Sequence, residues 1–262
     1  MDNTKKAILL VSFGTTHADT RQKTIGALRD EMEKAFPDWT VREAFTSKIV
    51  IRILKSRDGI LVDSPAEGLR RLAKEGYSQV VVQPTLLTAG VEFDLLKEVV
   101  WEYRQCFDSL SLGWPLFETE KDYQDVIDIL KESYRIEENG QNAYVFMGHG
   151  SKHPADAVYS SLDYRMKHVG LENAFIATVE GYPGLDLIRQ ELKDRQPEKV
   201  FLIPLLIVAG DHAKNDMASD EPDSWKTILS KDGLLTEAIV KGLGEVEGIR
   251  KIFVRHACNA MS

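Results

Sequence analysis

The chain has 262 residues, 43% of them hydrophobic, and 33 Lys and Arg against 41 Asp and Glu give it a formal charge of −8. That composition excludes a disordered chain and is ample for one large core or two medium ones, and the dispersed acidic excess argues against a broad nucleic-acid surface. The two cysteines, Cys106 and Cys258, form no Cys-x-x-Cys metal spacing, which fits a reducing cytoplasm, and no stretch approaches the roughly 20 apolar residues of a membrane span.

The opening run Ala7 to Phe13 ends in Gly-Thr-Thr, not in the small-residue cleavage site of a signal peptide. Its apolar core, Ala7 to Ser12, is expected to be a strand buried on both faces. Thr20 to Phe36 follows as a helix, with Ile25, Leu28, Met32 and Phe36 at helical spacing and Pro37 as its stop. Trp39 to Phe45 is the second strand. Ser64-Pro65-Ala66-Glu67 spells a capping box with proline at the first helical position, and that helix runs to Gly76. Gln79 to Pro84 is the third strand, Phe93 to Phe107 a helix and Leu110 to Phe117 the fourth strand. The polar helix Asp122 to Gly140 carries the crossover to the second half. There Ala143–Met147, Ala174–Val179, Lys199–Leu205 and Glu237–Val240 read as strands, and Pro154–Val169 and Gly184–Arg195 as helices. Val246, Ile249, Ile252, Phe253 and Ala257 have helical spacing, so a helix should close the chain. Alternating strands and helices with short connections predict α/β architecture with a parallel, doubly wound sheet in each half, residues 1–125 and 126–262.

The halves are related by an internal repeat. Pro84-Thr-Leu-Leu-Thr-Ala-Gly90 and Pro204-Leu-Leu-Ile-Val-Ala-Gly210 share the pattern P-x-L-x-x-A-G, placing Glu92 and His212 at equivalent positions past a strand's carboxyl end. In open α/β sheets that edge binds ligands. Val11 to His17 likewise aligns with Met147 to His153, so His149 stands where the first half has Phe13. Arg42 to Ser47 lies over Ile176 to Gly181, which sets Glu180 opposite Thr46. His149, Glu180 and His212 therefore gather at strand ends of the second half. Two imidazoles and a carboxylate suit a borderline divalent metal such as Co, Ni, Fe or Zn. His153 precedes Pro154, where a helix begins, and His17, His168 and His256 read as structural or solvated. Cys258 is expected to be buried.

Val11-Ser-Phe-Gly-Thr15, Phe146-Met-Gly-His-Gly150, Glu180-Gly-Tyr-Pro183 and the long, unusual Val208-Ala-Gly-Asp-His-Ala-Lys-Asn-Asp-Met-Ala-Ser-Asp220 resemble the anaerobic cobalt chelatases of cobalamin biosynthesis, which act on sirohydrochlorin. The likeness runs over essentially the whole chain. It implies the class II chelatase fold shared with ferrochelatase: two pseudo-symmetric flavodoxin-like lobes with a tetrapyrrole cleft between them. By that resemblance His149, Glu180 and His212 bind the metal, and Glu92 is the acidic residue of the opposite side of the cleft. The implied partners are Co²⁺, as substrate metal, and sirohydrochlorin or its reduced precursor. No organic cofactor, nucleic acid or membrane is implied, and a homo-oligomer is compatible with the pattern.

Metal insertion removes two pyrrolic protons while the metal trades its ligands for four ring nitrogens. Imidazole both ligates when neutral and carries a proton, so His149 is the expected principal base, with Glu92 taking or relaying a proton. Phe13 and Leu87 are candidates to pack on the macrocycle. Thr46 and Thr88 are candidates for its carboxylates, as are the loops at Thr15-Thr16, Ser47-Lys48 and Ser151-Lys152, with Arg52 beyond. Insertion of Fe²⁺ or Ni²⁺ by the same fold, and a non-catalytic cobalt or tetrapyrrole carrier, remain alternatives. A phosphate-binding protein is less favoured, because the Gly148–Gly150 loop matches no phosphate motif.

Overall fold

The computed structural model describes residues 4–138 and 140–261. The chain divides into two compact units, one running through Glu118 and rejoined by the C-terminal segment from Glu247, the other Thr119–Val246. The linear reading assigned that last segment to the second half.

In the first unit β1 (Lys6–Ser12) is followed by α1 (Ala18–Arg21), a π turn (Gln22–Gly26) and α2 (Ala27–Ala35), then β2 (Thr40–Phe45), α3 (Lys48–Asp58), α4 (Pro65–Lys74), β3 (Gln79–Pro84), α5 (Val91–Tyr103) and β4 (Ser109–Leu112). The four strands form one parallel sheet in the order β2-β1-β3-β4. Ala7 to Val11 are fully buried, as expected of a central strand covered on both faces. The capping box at Ser64 is present, with Glu67 accepting from the Ser64 amide at 2.8 Å.

The second unit repeats the plan with α6 (Glu120–Tyr134), β5 (Ala143–Gly148), α7 (Ala157–His168), β6 (Ala174–Thr178), α8 (Leu185–Arg195), β7 (Val200–Pro204), a π turn (Ala213–Met217), α9 (Trp225–Lys231) and β8 (Thr236–Ala238). Its parallel sheet has the order β6-β5-β7-β8, the image of the first. The final helix, α10 (Glu247–Ala260), packs on α2 and β3. Ile249, Ile252, Phe253 and Ala257 are buried there, and the His256 Nδ1–H lies 3.2 Å from the Trp114 carbonyl it donates to. Periodicity foretold this helix but carries no information about which core it covers.

The repeat is visible in the backbone hydrogen bonds. Thr85 N donates to Val11 O at 2.7 Å, and Leu205 N to Met147 O at 2.7 Å. Leu116 N reaches Leu86 O at 2.9 Å where Leu243 N reaches Leu206 O at 2.8 Å. Ser47 N donates to Phe13 O at 3.2 Å and Glu180 N to His149 O at 2.8 Å, so Glu180 is the counterpart of Ser47 and not of Thr46. The strand registers agree, pairing Ser12 with Phe45 and Gly148 with Thr178. The sequence alignment of the second strands was therefore one residue out of step.

Other differences have local causes. The fourth strand stops at Leu112: Gly113 still donates to Val82 O at 2.9 Å, after which Trp114-Pro115 turns the chain out of the ladder. α3, rich in β-branched residues that disfavour helix, is not among the elements expected from the sequence. The Ser47 side chain caps its start, and Gly59 in the left-handed conformation (φ 65°) closes its end. The crossover helix opens two residues early on a Thr119–Asp122 capping box and ends at Tyr134, before Arg135 at φ 51°.

α8 and α9 are tied by Asp232, whose side chain is 9% exposed and accepts from Arg189 at 2.7 and 2.9 Å and from Lys193 at 2.8 Å. The Arg189 hydrogen bonds, then those of Lys193, hold its carboxyl down at about 2. An unfolded Asp titrates near 3.9, so this stabilisation is complete above that value and fades as pH falls toward 2. Asp232→Asn is expected to cost roughly 1 kcal/mol at neutral pH, discounted because Arg189 is partly exposed. In urea unfolding followed across pH, the gap from the parent should close in strong acid; a gap that persists there would assign the effect to packing.

Candidate metal-delivery site

The second unit places two imidazoles together. His149 follows β5 directly, and Gly150 turns the chain away at φ 77°. Asp156 pins that turn by accepting from the Ser151 amide and, at 2.9 Å, from the Ser151 hydroxyl. His212 precedes the π turn beyond β7. Ala209, Ala213 and Met217 are buried with Trp225 in the core, while His212 and Asp216 remain half-exposed on the outer side. The same spacing that buries one pair of residues on this turn thus exposes the other. The His149 and His212 ring centroids are 4.5 Å apart at an interplanar angle of 84°.

Each ring has a fixed partner at Nδ1. His149 Nδ1 lies 2.7 Å from the Gly150 carbonyl oxygen, and His212 Nδ1 lies 2.5 Å from Asp216 Oδ2. Carbonyl and carboxylate oxygens only accept, so both Nδ1 atoms carry the hydrogen, and in the neutral ring each Nε2 keeps a lone pair. Two neutral imidazoles offering Nε2 lone pairs are suited to holding a divalent metal.

Glu180 is anchored beside this pair through its backbone bond to His149, but its side chain is exposed. Among the described residues no three His, Cys, Asp or Glu side chains stand close enough to hold a metal together. Of the three residues expected to converge, the fold brings two imidazoles into contact and leaves the carboxylate apart.

His153 caps a short 3-10 turn, its Nδ1 accepting from Ala155 N at 3.1 Å, and Ser151 Oγ accepts from His153 N at 3.0 Å. His168 stacks with Tyr164 in the last turn of α7. Cys258 is exposed, as is Cys106; it falls on the outer face of α10, beside the buried Ala257.

In the first unit Phe13 is exposed at the tip of β1, and Thr46 is half-buried with a buried hydroxyl that makes no hydrogen bond. Leu87 and Thr88 are half-buried in the loop after β3. Glu92 sits in the first turn of α5, where the helix dipole favours a carboxylate. Ser47 is spent on capping, while Lys48 and Arg52 are exposed. Ile49, Val91, Leu95 and Trp114 join Phe13 as exposed apolar side chains, so all four strands of this sheet lead into one at their carboxyl ends. Sequence reasoning missed Asp216, Asp156 and this apolar set. Spacing of four between His212 and Asp216 was the available signal.

Two doubly wound parallel sheets in tandem, with imidazoles at the strand ends, define the fold of the class II chelatases. SirB from Bacillus subtilis with Fe³⁺ superposes with a TM-score of 0.65 at 16% identity, covering 99% of this chain and 96% of that one. CbiX, described as the terminal enzyme for biosynthesis of sirohaem in denitrifying bacteria, gives 0.59 at 17% identity, covering 98% and 100%. The chain belongs to the cobalt chelatase (CbiK) family, which it matches over residues 6–262. It is 39% identical to the sirohydrochlorin cobaltochelatase of Salmonella typhimurium over 98% of this chain and 97% of that protein. It is 34% identical to the sirohydrochlorin cobaltochelatase CbiKC of Nitratidesulfovibrio vulgaris, over 99% and 92%.

Proposed function

We propose that this protein inserts Co²⁺ into sirohydrochlorin, releasing two protons, for cobalamin biosynthesis in the cytoplasm. The observation that carries the reading is the pair of Nε2-presenting imidazoles of His149 and His212, 4.5 Å apart, in a member of the cobalt chelatase family. The two relatives named for this activity match nearly from end to end.

In this mechanism the two imidazoles hold Co²⁺ with Glu180, whose exposed side chain rotates onto the metal. A mixed, partly open ligand set releases the metal more readily than a closed structural site. As ring nitrogens replace the protein ligands, His149 accepts one pyrrolic proton and Glu92 the other. Phe13 and Leu87 support the macrocycle, and Thr46 and Thr88 donate to its carboxylates. The exposed apolar side chains at the carboxyl edge of the first sheet favour a large, flat ligand with an apolar face.

The test follows the absorbance of metal-free sirohydrochlorin with Co²⁺, with and without protein, and with Fe²⁺ and Ni²⁺ in parallel. Acceleration by the protein supports a chelatase and ranks its metals; binding at the protein-free insertion rate would make it a carrier. Glu92→Gln is expected to lower kcat about 100-fold, within the range for removing one proton acceptor, while Co²⁺ binding measured without tetrapyrrole stays unchanged. Unaltered kcat would remove Glu92 from the proton path.

A further inference from the structure

We infer that Asp216 is a positioning residue for metal loading: its carboxylate holds His212 in the Nδ1–H tautomer and aims Nε2 at the ion. The inference rests on the proposed role of His212 as a metal ligand. An unrestrained neutral imidazole has no fixed tautomer, and the wrong one places a hydrogen on the nitrogen facing the metal.

The two rings achieve the same tautomer by different means. His149 donates to the carbonyl of the next residue, which strand-end geometry supplies automatically. His212 has only the side chain four residues ahead, at 2.5 Å. That reach is set by the π turn Ala213–Met217, anchored by the burial of Ala213 and Met217. The acceptor on His212 is thus a replaceable side chain, and the one on His149 is backbone. A carboxylate accepting from the far nitrogen of a ligating histidine orients the ring and strengthens it as a donor, and losing such a partner typically weakens metal binding by about 10- to 100-fold. With side chains 43% and 41% exposed, this pair belongs at the lower end of that range.

The experiment compares the full chain with Asp216→Ala, Asp216→Asn and His212→Ala, reading Co²⁺ binding without tetrapyrrole and, in the metal-free proteins, histidine tautomers by long-range ¹H–¹⁵N correlation at roughly pH 8, above the ordinary imidazole range. His212 in the parent should show the Nδ1–H pattern. Asp216→Ala should lose that pattern and weaken Co²⁺ binding about tenfold. Asp216→Asn, which keeps an accepting oxygen, should restore part of both. Insertion assays should show the loss as a raised apparent KM for Co²⁺, with kcat nearly recovered at saturating metal. A parent His212 in the Nε2–H form, or an Asp216→Ala protein with parental tautomer and affinity, would overturn the inference. If His212→Ala itself binds Co²⁺ normally, the reading of His212 as a ligand fails instead. Circular dichroism and thermal unfolding confirm that each variant is folded; an Asp216→Ala that unfolds leaves the tautomer measured in the parent and in Asp216→Asn to decide.

Discussion

Replacing His149 by Phe is expected to lower cobalt insertion by about 1,000-fold, mid-range for losing a proton-transfer group, with the melting temperature essentially unchanged. Phe is the informative substitution because the first unit already carries Phe13 at this position. Both residues follow a central strand, both precede a glycine with positive φ, and both accept one backbone bond from the neighbouring loop. The backbone at this strand tip is therefore compatible with a large aromatic ring. What is lost is the Nε2 lone pair, on a ring whose centroid lies 4.5 Å from that of His212. The measurement is kcat for Co²⁺ insertion beside a thermal melt. A folded His149→Phe protein within tenfold of the parent rate would end the assignment of His149 as metal donor and base.

The positions where sequence reading succeeded and failed divide along physical lines. Strand β3 lies at its expected boundaries, because a run of β-branched residues between a polar turn and Pro84 leaves little freedom. His149 and His212 were legible because a repeat turns two distant residues into comparable ones. The one-residue error at Glu180 arose where the second strands share a single residue, Ala44 with Ala177, and backbone pairing is what fixes register. The placement of α10 was hidden for another reason: an apolar stripe shows that a helix is covered, while the covering core is chosen by the path of the whole chain. Asp216 sat in plain view within the most distinctive motif. Its contact with His212 depends on the π turn, whose spacing no helical periodicity announces.

Unlike His149→Phe, Gly150→Ala should destabilise the second unit and remove activity together. Gly150 has φ 77°, where a β-carbon costs about 1 kcal/mol or more. An added methyl would also lie 2.7 Å from the Thr178 Cβ and 2.8 Å from the Gly181 Cα, and closer still to the Gly181 amide nitrogen. Backbone atoms of a neighbouring loop cannot rotate aside, so overpacking adds roughly 1–3 kcal/mol. The expected total, about 3 kcal/mol, corresponds to a fall of roughly 6–12 °C in melting temperature for a chain of this size. Relief of the clash would push apart the loops that carry His149 and Glu180, which are joined by one 2.8 Å backbone bond. Gly184→Ala is the control: that residue opens α8 at φ −85° with nothing within 4 Å of an added Cβ, and the variant should melt like the parent. If Gly150→Ala also melts like the parent and retains turnover, the close approach of the two loops is not what holds the His149 imidazole in place.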